Sequence, residues 1–189
     1  MNTFKADIEE IRRRARTNME EGPVVEGAYQ ADREQVVQVL NEVLATEVVC
    51  TLRYKNHYFM AQGIHSQGVA DEFKQHAMEE EQHADMVAKR ITELGGEPNF
   101  DPAGLPSRAH AEYKASAKLD DMIREDLVAE RIAVATYSEI IRWLDGADPT
   151  SRRLMEEILA KEEEHADDLA KLLVRIGEKV GQRHSNGVH

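Results

Sequence analysis

The sequence predicts an all-α fold: a bundle of four long helices with a long crossover between the second and third, preceded by a short N-terminal helix. Three observations carry this expectation. Only 5% of the residues are aromatic while Ala, Glu, Leu and Val are abundant, a mix that favours helices. Four long segments place apolar residues at alternating steps of three and four, the spacing of one helix face. The segment between the second and third of these (97–117) carries Pro98, Pro102 and Pro106 and little periodicity. At about twenty residues it is far longer than an antiparallel turn needs, and long enough to run the length of a bundle so that the helices it joins can lie parallel.

Residues 1–31 read as an N-terminal helix and linker. Over 3–20, Phe4, Ile8, Ile11 and Ala15 form a thin apolar stripe, and Arg12, Arg13, Arg14 and Arg16 cluster among Glu9, Glu10 and Glu20. A surface helix laced with ion pairs is the expectation, ahead of a nucleic-acid-binding arm. Gly22-Pro23 and Gly27 then break the pattern.

Residues 32–180 read as the bundle. Its first helix should start at Asp32, a good N-cap with Gln35 three residues on, and run to about Gly63 on the stripe Val37, Leu40, Leu44, Glu47, Thr51, Tyr54, Tyr58 and Ala61. The second covers roughly 68–94, with Val69, Phe73, His76, Glu80, His83, Val87, Ile91 and Leu94 inward, and Gly95-Gly96 stops it. The third spans roughly 118–145 on Ile123, Leu127, Glu130, Val134, Tyr137, Ile141 and Leu144. The fourth should start near Thr150 or Ser151 and end near Lys179, with Leu154, Ile158, Glu162, His165, Leu169, Leu172 and Ile176 inward. Residues 181–189 form a polar tail, expected to be disordered; its His184 and His189 read as unspecific.

Six of these stripe residues are not apolar. Glu80 and His83, and again Glu162 and His165, form a Glu-x-x-His that presents both side chains on one helix face. Each is preceded by a lone Glu in a stripe: Glu47 lies 33 residues before Glu80, and Glu130 lies 32 before Glu162. An isolated buried carboxylate costs several kcal/mol or takes up a proton, so four converging at one depth could not all stay ionised alone. Two divalent cations would balance them, with His83 and His165 adding neutral nitrogen donors. One Glu-x-x-His in a Glu-rich helix means little; the duplication and the shared register are what is specific. Against this stands a plain bundle with buried, protonated acids. Glu79, Glu81, Glu163 and Glu164 read as solvated-face charges. His76 has no duplicated counterpart and reads as a core or entry-channel residue rather than a ligand.

A Glu on each of two helices with Glu-x-x-His on each of the other two is the known pattern of ferritin-like di-iron and di-manganese carboxylate proteins. From about 33 to 178 the chain resembles the bacterioferritins: Leu40 through Glu47, Glu80 with His83-Ala84-Asp85, Asp126 through Glu130, and Ile158 through His165 match the four ligand segments. The resemblance implies a ferritin-like bundle, iron storage and detoxification, and a ferroxidase centre oxidising Fe(II) with O2 or H2O2. Glu47 would be a terminal ligand to one ion and Glu130 to the other, Glu80 and Glu162 bridges, and His83 and His165 nitrogen ligands. Tyr54 falls at the family's tyrosine beside the ligand set, placed to hydrogen-bond a carboxylate or donate an electron. The oxygen-rich set suits iron, or manganese. The family's haem methionine follows the second-helix Glu; here that position is Glu81, which leaves haem undecided, and nothing requires Met19, Met60 or Met78 to serve instead. The longer crossover and the lack of a clear fifth helix look more like the dodecameric mini-ferritins that resemble starvation-induced DNA-protecting proteins, so a hollow homo-oligomer of twelve subunits is expected over twenty-four. The alternatives are a di-manganese or di-iron peroxidase or catalase without mineral storage, and a DNA-protecting structural protein.

The 189 residues carry 36 acidic and 24 basic side chains, a net charge of −12, which argues against broad nucleic-acid binding. One cysteine, Cys50, excludes a disulfide framework or a four-Cys metal site within the chain. The charged N-terminus lacks the apolar core of a signal peptide, and no run is expected to approach a membrane span, so a soluble cytoplasmic protein is the expectation.

Overall fold

The computed structural model describes residues 5–17, 19–20, 22–24, 27–61 and 66–185, of which 177–185 by backbone alone. Among these residues the fold is entirely helical: α1 (Ile8–Arg14), α2 (Arg33–Met60), α3 (Gln67–Glu93), α4 (Leu105–Arg108), α5 (Leu119–Leu144) and α6 (Pro149–Ser185). Phe4, Gly63 and His189, and the His184 side chain, lie outside the description.

The helix ends follow local chemistry. The Asp32 carboxylate accepts from the Gln35 amide at 3.1 Å and caps α2. Gly95, at φ 77°, closes α3 in the left-handed conformation glycine adopts without strain. The start of α6 is earlier than the sequence suggests: Asp148 caps it by accepting from the Ser151 amide at 2.9 Å, with Pro149 in the first helical position, where its missing N–H costs nothing. Arg90 of α3 clamps that corner, donating to Asp148 at 3.1 Å and Ser151 Oγ at 2.8 Å. At its other end α6 runs on to Ser185, beyond the expected stop near Lys179.

Side-chain pairs fix the topology. On α2, residues 47, 54 and 57 face residues 83, 76 and 73 of α3, and residues 54 and 57 face 130 and 126 of α5. Therefore α2 is antiparallel to both, and α3 and α5 run parallel. The crossover makes this possible by lying along α2. Asn99 donates its amide to Asn41 at 2.7 Å, His110 to Thr46 Oγ1 at 2.9 Å, and Arg53 reaches the Glu112 carbonyl at 3.0 Å. Leu105 of α4 packs on Ala45 and Val49.

α2 is long and apolar enough, at a hydropathy of 1.2, to match a membrane span by composition, contrary to the expectation that no stretch would. Its apolar residues are bundle core instead: Val36, Leu40, Val43 and Leu44 pack with α3, α5 and α6, and the same helix buries Glu47, Arg53 and His57.

α1 is shorter than the 3–20 expected and buries none of its residues. Its arginines are engaged locally: Arg13 and Arg14 pair with Glu10, Arg12 with Glu9, and Arg14 reaches the Gly27 carbonyl. The linker docks through Tyr29, which donates to Asp148 at 2.5 Å.

Beneath the crossover, Asp126 receives Arg53 Nε and His57 Nδ1, each at 2.8 Å, with all three side chains buried. Removing the carboxylate would strand a buried guanidinium. Asp126→Ala is therefore expected to cost about 3–5 kcal/mol, read as a lower urea midpoint, whereas Glu139→Ala on the exposed face of α5 should change little.

Candidate metal centre

Two apolar clusters leave a polar layer between them. One gathers Leu40, Leu44, Val87, Ile91, Tyr137, Met155 and Ile158; the other gathers Tyr54, Phe73, Met122, Ile123, Leu127 and Leu169. In the layer between sit Glu47, Glu80, His83, Glu130, Glu162 and His165, none more than 6% exposed. The structure thus brings together all six side chains singled out in the sequence, one Glu from each long helix.

Their donor atoms fall into two overlapping groups, each within 4.8 Å internally. Glu47, Glu80, His83 and Glu162 make one; Glu80, Glu130, Glu162 and His165 make the other. Glu80 and Glu162 belong to both. His83 Nδ1 lies 3.0, 3.3 and 3.6 Å from Glu162, Glu47 and Glu80. His165 Nδ1 lies 3.5 Å from both Glu80 and Glu162.

The fit to cations rests on unsatisfied atoms. Glu47 Oε2, Glu80 Oε1, Glu130 Oε2, both Glu162 oxygens and the Nδ1 atoms of His83 and His165 are buried without a hydrogen-bond partner. Buried polar atoms are ordinarily paired, and here every one of the six residues offers at least one unpaired donor to the same small volume. Oxygen-rich sets with one imidazole per ion suit Fe(II) or Mn(II).

Supporting groups hold the other atoms. Tyr54 donates to Glu130 Oε1 and Tyr137 to Glu47 Oε1, so each terminal acid has one oxygen tied and the other free. His165 Nε2 bonds Glu79 Oε2 at 2.6 Å, which turns Nδ1 inward. Glu79 is therefore not the solvated charge that the sequence suggests, and Tyr137 is more than core packing. The sequence does carry a signal for the tyrosines: each follows a stripe Glu by seven residues, Glu47 to Tyr54 and Glu130 to Tyr137. Because α2 and α5 are antiparallel, each tyrosine serves the other helix's acid. Replacing Glu79 with Leu is expected to weaken a cation held by His165 about 10–100-fold, measurable by Co(II) competition.

Proton equilibria describe the same frustration. Burial, then the Glu80 charge, pushes Glu47 up to about 8; burial, then Glu80 and Glu162, pushes Glu130 far above its ordinary value. Burial also opposes charge on His165, but Glu162 and Glu80 outweigh it and raise the imidazole to about 11. His83 moves up likewise, burial being outweighed by Glu162, Glu47 and Glu80. Glu80 and Glu162 are held below their ordinary values: burial and neighbouring acids oppose this, but the nearness of both imidazoles prevails. The side chains by themselves reach neutrality with four protons, on Glu47, Glu130, His83 and His165. Two divalent cations can replace that charge.

His76 stacks on His165 at 4.0 Å and meets Tyr54 Oη at 3.2 Å; burial, then His165, lowers it to about 3, so the ring stays neutral. Glu81, at the position of the haem methionine, is exposed and pairs with Lys55 at 3.4 Å. Met19, Met60 and Met78 are exposed.

Residues 37–178 match the family described as Ferritin-like domain. Over 148 residues the chain is 30% identical to the DNA protection during starvation protein of Pyrococcus furiosus, covering 75% of this chain and 78% of that protein. It is 31% identical over 149 residues to the bacterioferritin of Brucella melitensis biotype 1, covering 77% and 88%. Among solved structures, the dodecameric thioferritin of Bacteroides fragilis, a bacterioferritin-related protein, superimposes with a TM-score of 0.77 at 30% identity over 81% of this chain and 92% of that one.

Proposed function

The chain belongs to the ferritin-like domain family, and from that premise we propose that it is an iron-storing ferroxidase: it takes up Fe(II) two ions at a time and oxidises them with O2 or H2O2. The observation that carries this reading is the pair of four-donor groups sharing Glu80 and Glu162. Glu47 and His83 complete one ion's set, Glu130 and His165 the other's, and the four carboxylates match the charge of two divalent ions.

Fe(II) is the substrate. Two ions give up one electron each; O2 takes both electrons and two protons and leaves as H2O2, or H2O2 takes both with two protons and leaves as two waters. Holding the ions on shared carboxylates makes the two electrons available together and avoids a one-electron oxygen radical. The chain's own part is to fix the donors. Tyr54 and Tyr137 orient Glu130 and Glu47, Glu79 orients His165, and the apolar clusters keep bulk water out. Fe(III) would then hydrolyse in the cavity of a homo-oligomeric shell. Twelve subunits are favoured over twenty-four, by the likeness to the dodecameric Bacteroides fragilis protein. Protection of DNA through Arg12–Arg16 is the weaker reading, since Arg12, Arg13 and Arg14 are already paired with Glu9 and Glu10.

Iron loading tests the choice. Aerobic titration with Fe(II) should fill particles far beyond the two ions per chain that the paired groups hold. Uptake that stops at two per chain, with turnover of peroxide, would instead support the non-storing enzyme.

A further inference from the structure

The turn between α5 and α6 holds a backbone conformation that the fold otherwise avoids. Asp145 stands at φ 37° and ψ −118°, and among the described residues no other residue except glycine has a positive φ. The Ala147 amide donates to the Leu144 carbonyl at 2.9 Å, and Gly146 is not left-handed. Residues 144–147 are therefore a type II′ turn with aspartate in its first central position, where glycine is the usual residue.

An aspartate followed by glycine can close on itself: the glycine nitrogen attacks the side-chain carbon Cγ and an imide ring forms. Closure requires Cβ to eclipse that nitrogen about the Cα–C bond. For an L residue the eclipse falls at a ψ of roughly −120°, the value of the first central residue in a type II′ turn. Helix, at about −42°, and strand, at about +135°, lie far from it. The fold thus holds Asp145 at the ring's own ψ, and it does so from both sides. Arg152 Nη1 donates to the Asp145 carbonyl at 3.3 Å, while the Leu144 carbonyl accepts from Ala147. The reacting atoms are free. The Gly146 amide has no hydrogen-bond partner among the described residues, and a methyl group on Gly146 would meet nothing within 4 Å. The Asp145 side chain is 87% exposed, and its Oδ1 lies 3.8 Å from Arg152 Nη1, beyond hydrogen-bond reach. An exposed side chain samples its rotamers in picoseconds to nanoseconds. The backbone angle is what an unstructured chain must find by chance, and this turn supplies it.

We propose that Asp145-Gly146 is a self-modifying site, converting to isoaspartate through a succinimide. The bond from Cγ to the Gly146 nitrogen forms as the Cγ–OH bond breaks, and the hydroxyl leaves with the amide proton as water. Water then adds to either imide carbonyl. Addition at Cγ restores Asp145. Addition at the main-chain carbon releases that carbon as a free α-carboxylate and sends the chain through Cβ and Cγ. The product is exposed and presents the carboxylate that isoaspartyl methyltransferases esterify. Its lengthened link falls three residues before Asp148, the cap of α6.

Peptide mapping after ageing the whole folded protein at neutral pH tests this. Trypsin releases residues 143–152 as one peptide, and Asn186-Gly187, a second pair of this kind, falls in another. Asp148 of the first peptide precedes Pro149, whose nitrogen has no proton to lose, so Asp145 alone can cyclise there. The form lighter by one water and the isobaric isoaspartyl form should accumulate several-fold faster in the folded protein than in the free 143–152 peptide. The isoaspartyl form should take a labelled methyl group from S-adenosylmethionine in the presence of an isoaspartyl methyltransferase. Asp145→Asn, which loses ammonia more readily than aspartate loses water, should convert faster still. Conversion in the fold no faster than in the free peptide overturns the proposal, as does an Asp145→Asn protein that ages without change at this position.

Discussion

In Glu80→Ala, fast Fe(II) oxidation should fall by more than about a hundred-fold. Partners one step removed from a metal commonly cost 10–100-fold, and Glu80 is a donor in both groups, so its loss weakens both ions and the link between them. Glu130→Gln is the informative companion. Burial and the charges of Glu80 and Glu162 push the Glu130 carboxyl toward its neutral form, so the uncharged isostere should cost little stability in chelator. It should still lose the ion that Glu130 and His165 share, and with it the two-electron step. Helical content by circular dichroism should survive in both variants. Initial rates like those of the unsubstituted protein in either would reject the assignment.

The second large effect is on stability against pH. Glu47 keeps a proton in the fold up to about pH 8, but in the unfolded chain only to its ordinary 4.5. Between those values the folded state binds more protons, so stability falls as pH rises through the window. His165, raised from 6.5 to about 11, has the same sign above 6.5. Glu80 and Glu162, held low, act oppositely and only below about 4.5. Glu47 alone contributes about 5 kcal/mol at most, or roughly ten to twenty degrees in Tm for a chain of this size. Chelator-treated protein should thus melt progressively earlier from pH 4.5 to 8, and Mn(II) or Co(II) should raise Tm far more at pH 8 than at pH 5. A flat metal-free profile would show that the acids are not crowded as described.

The bundle was legible because its stripes keep step over four long segments, and the six central residues because polar groups interrupt those stripes in duplicate. What was not legible depended on tertiary register. Tyr137 sits in an apolar stripe, where an aromatic residue reads as core; only the antiparallel pairing of α2 and α5 brings its hydroxyl to Glu47. Glu79 borders the solvated face of α3 and acquires a partner only when α6 packs beside it. Arg53, His57 and Asp126 look like ordinary polar residues until the crossover covers them. Asp148 does not stand out as a cap in the sequence because Thr150 and Ser151 are also good candidates, and Arg90, distant in sequence, helps decide between them.

The most direct measurement is iron-edge anomalous scattering from a crystal equilibrated with Fe(II) under anaerobic conditions. Two iron peaks should appear inside each bundle, both within reach of Glu80 and Glu162, one beside Glu47 and His83 and the other beside Glu130 and His165. Iron confined to surface carboxylates, with the interior acids bonded only to one another, would contradict the claim that paired cations are what these buried charges are for.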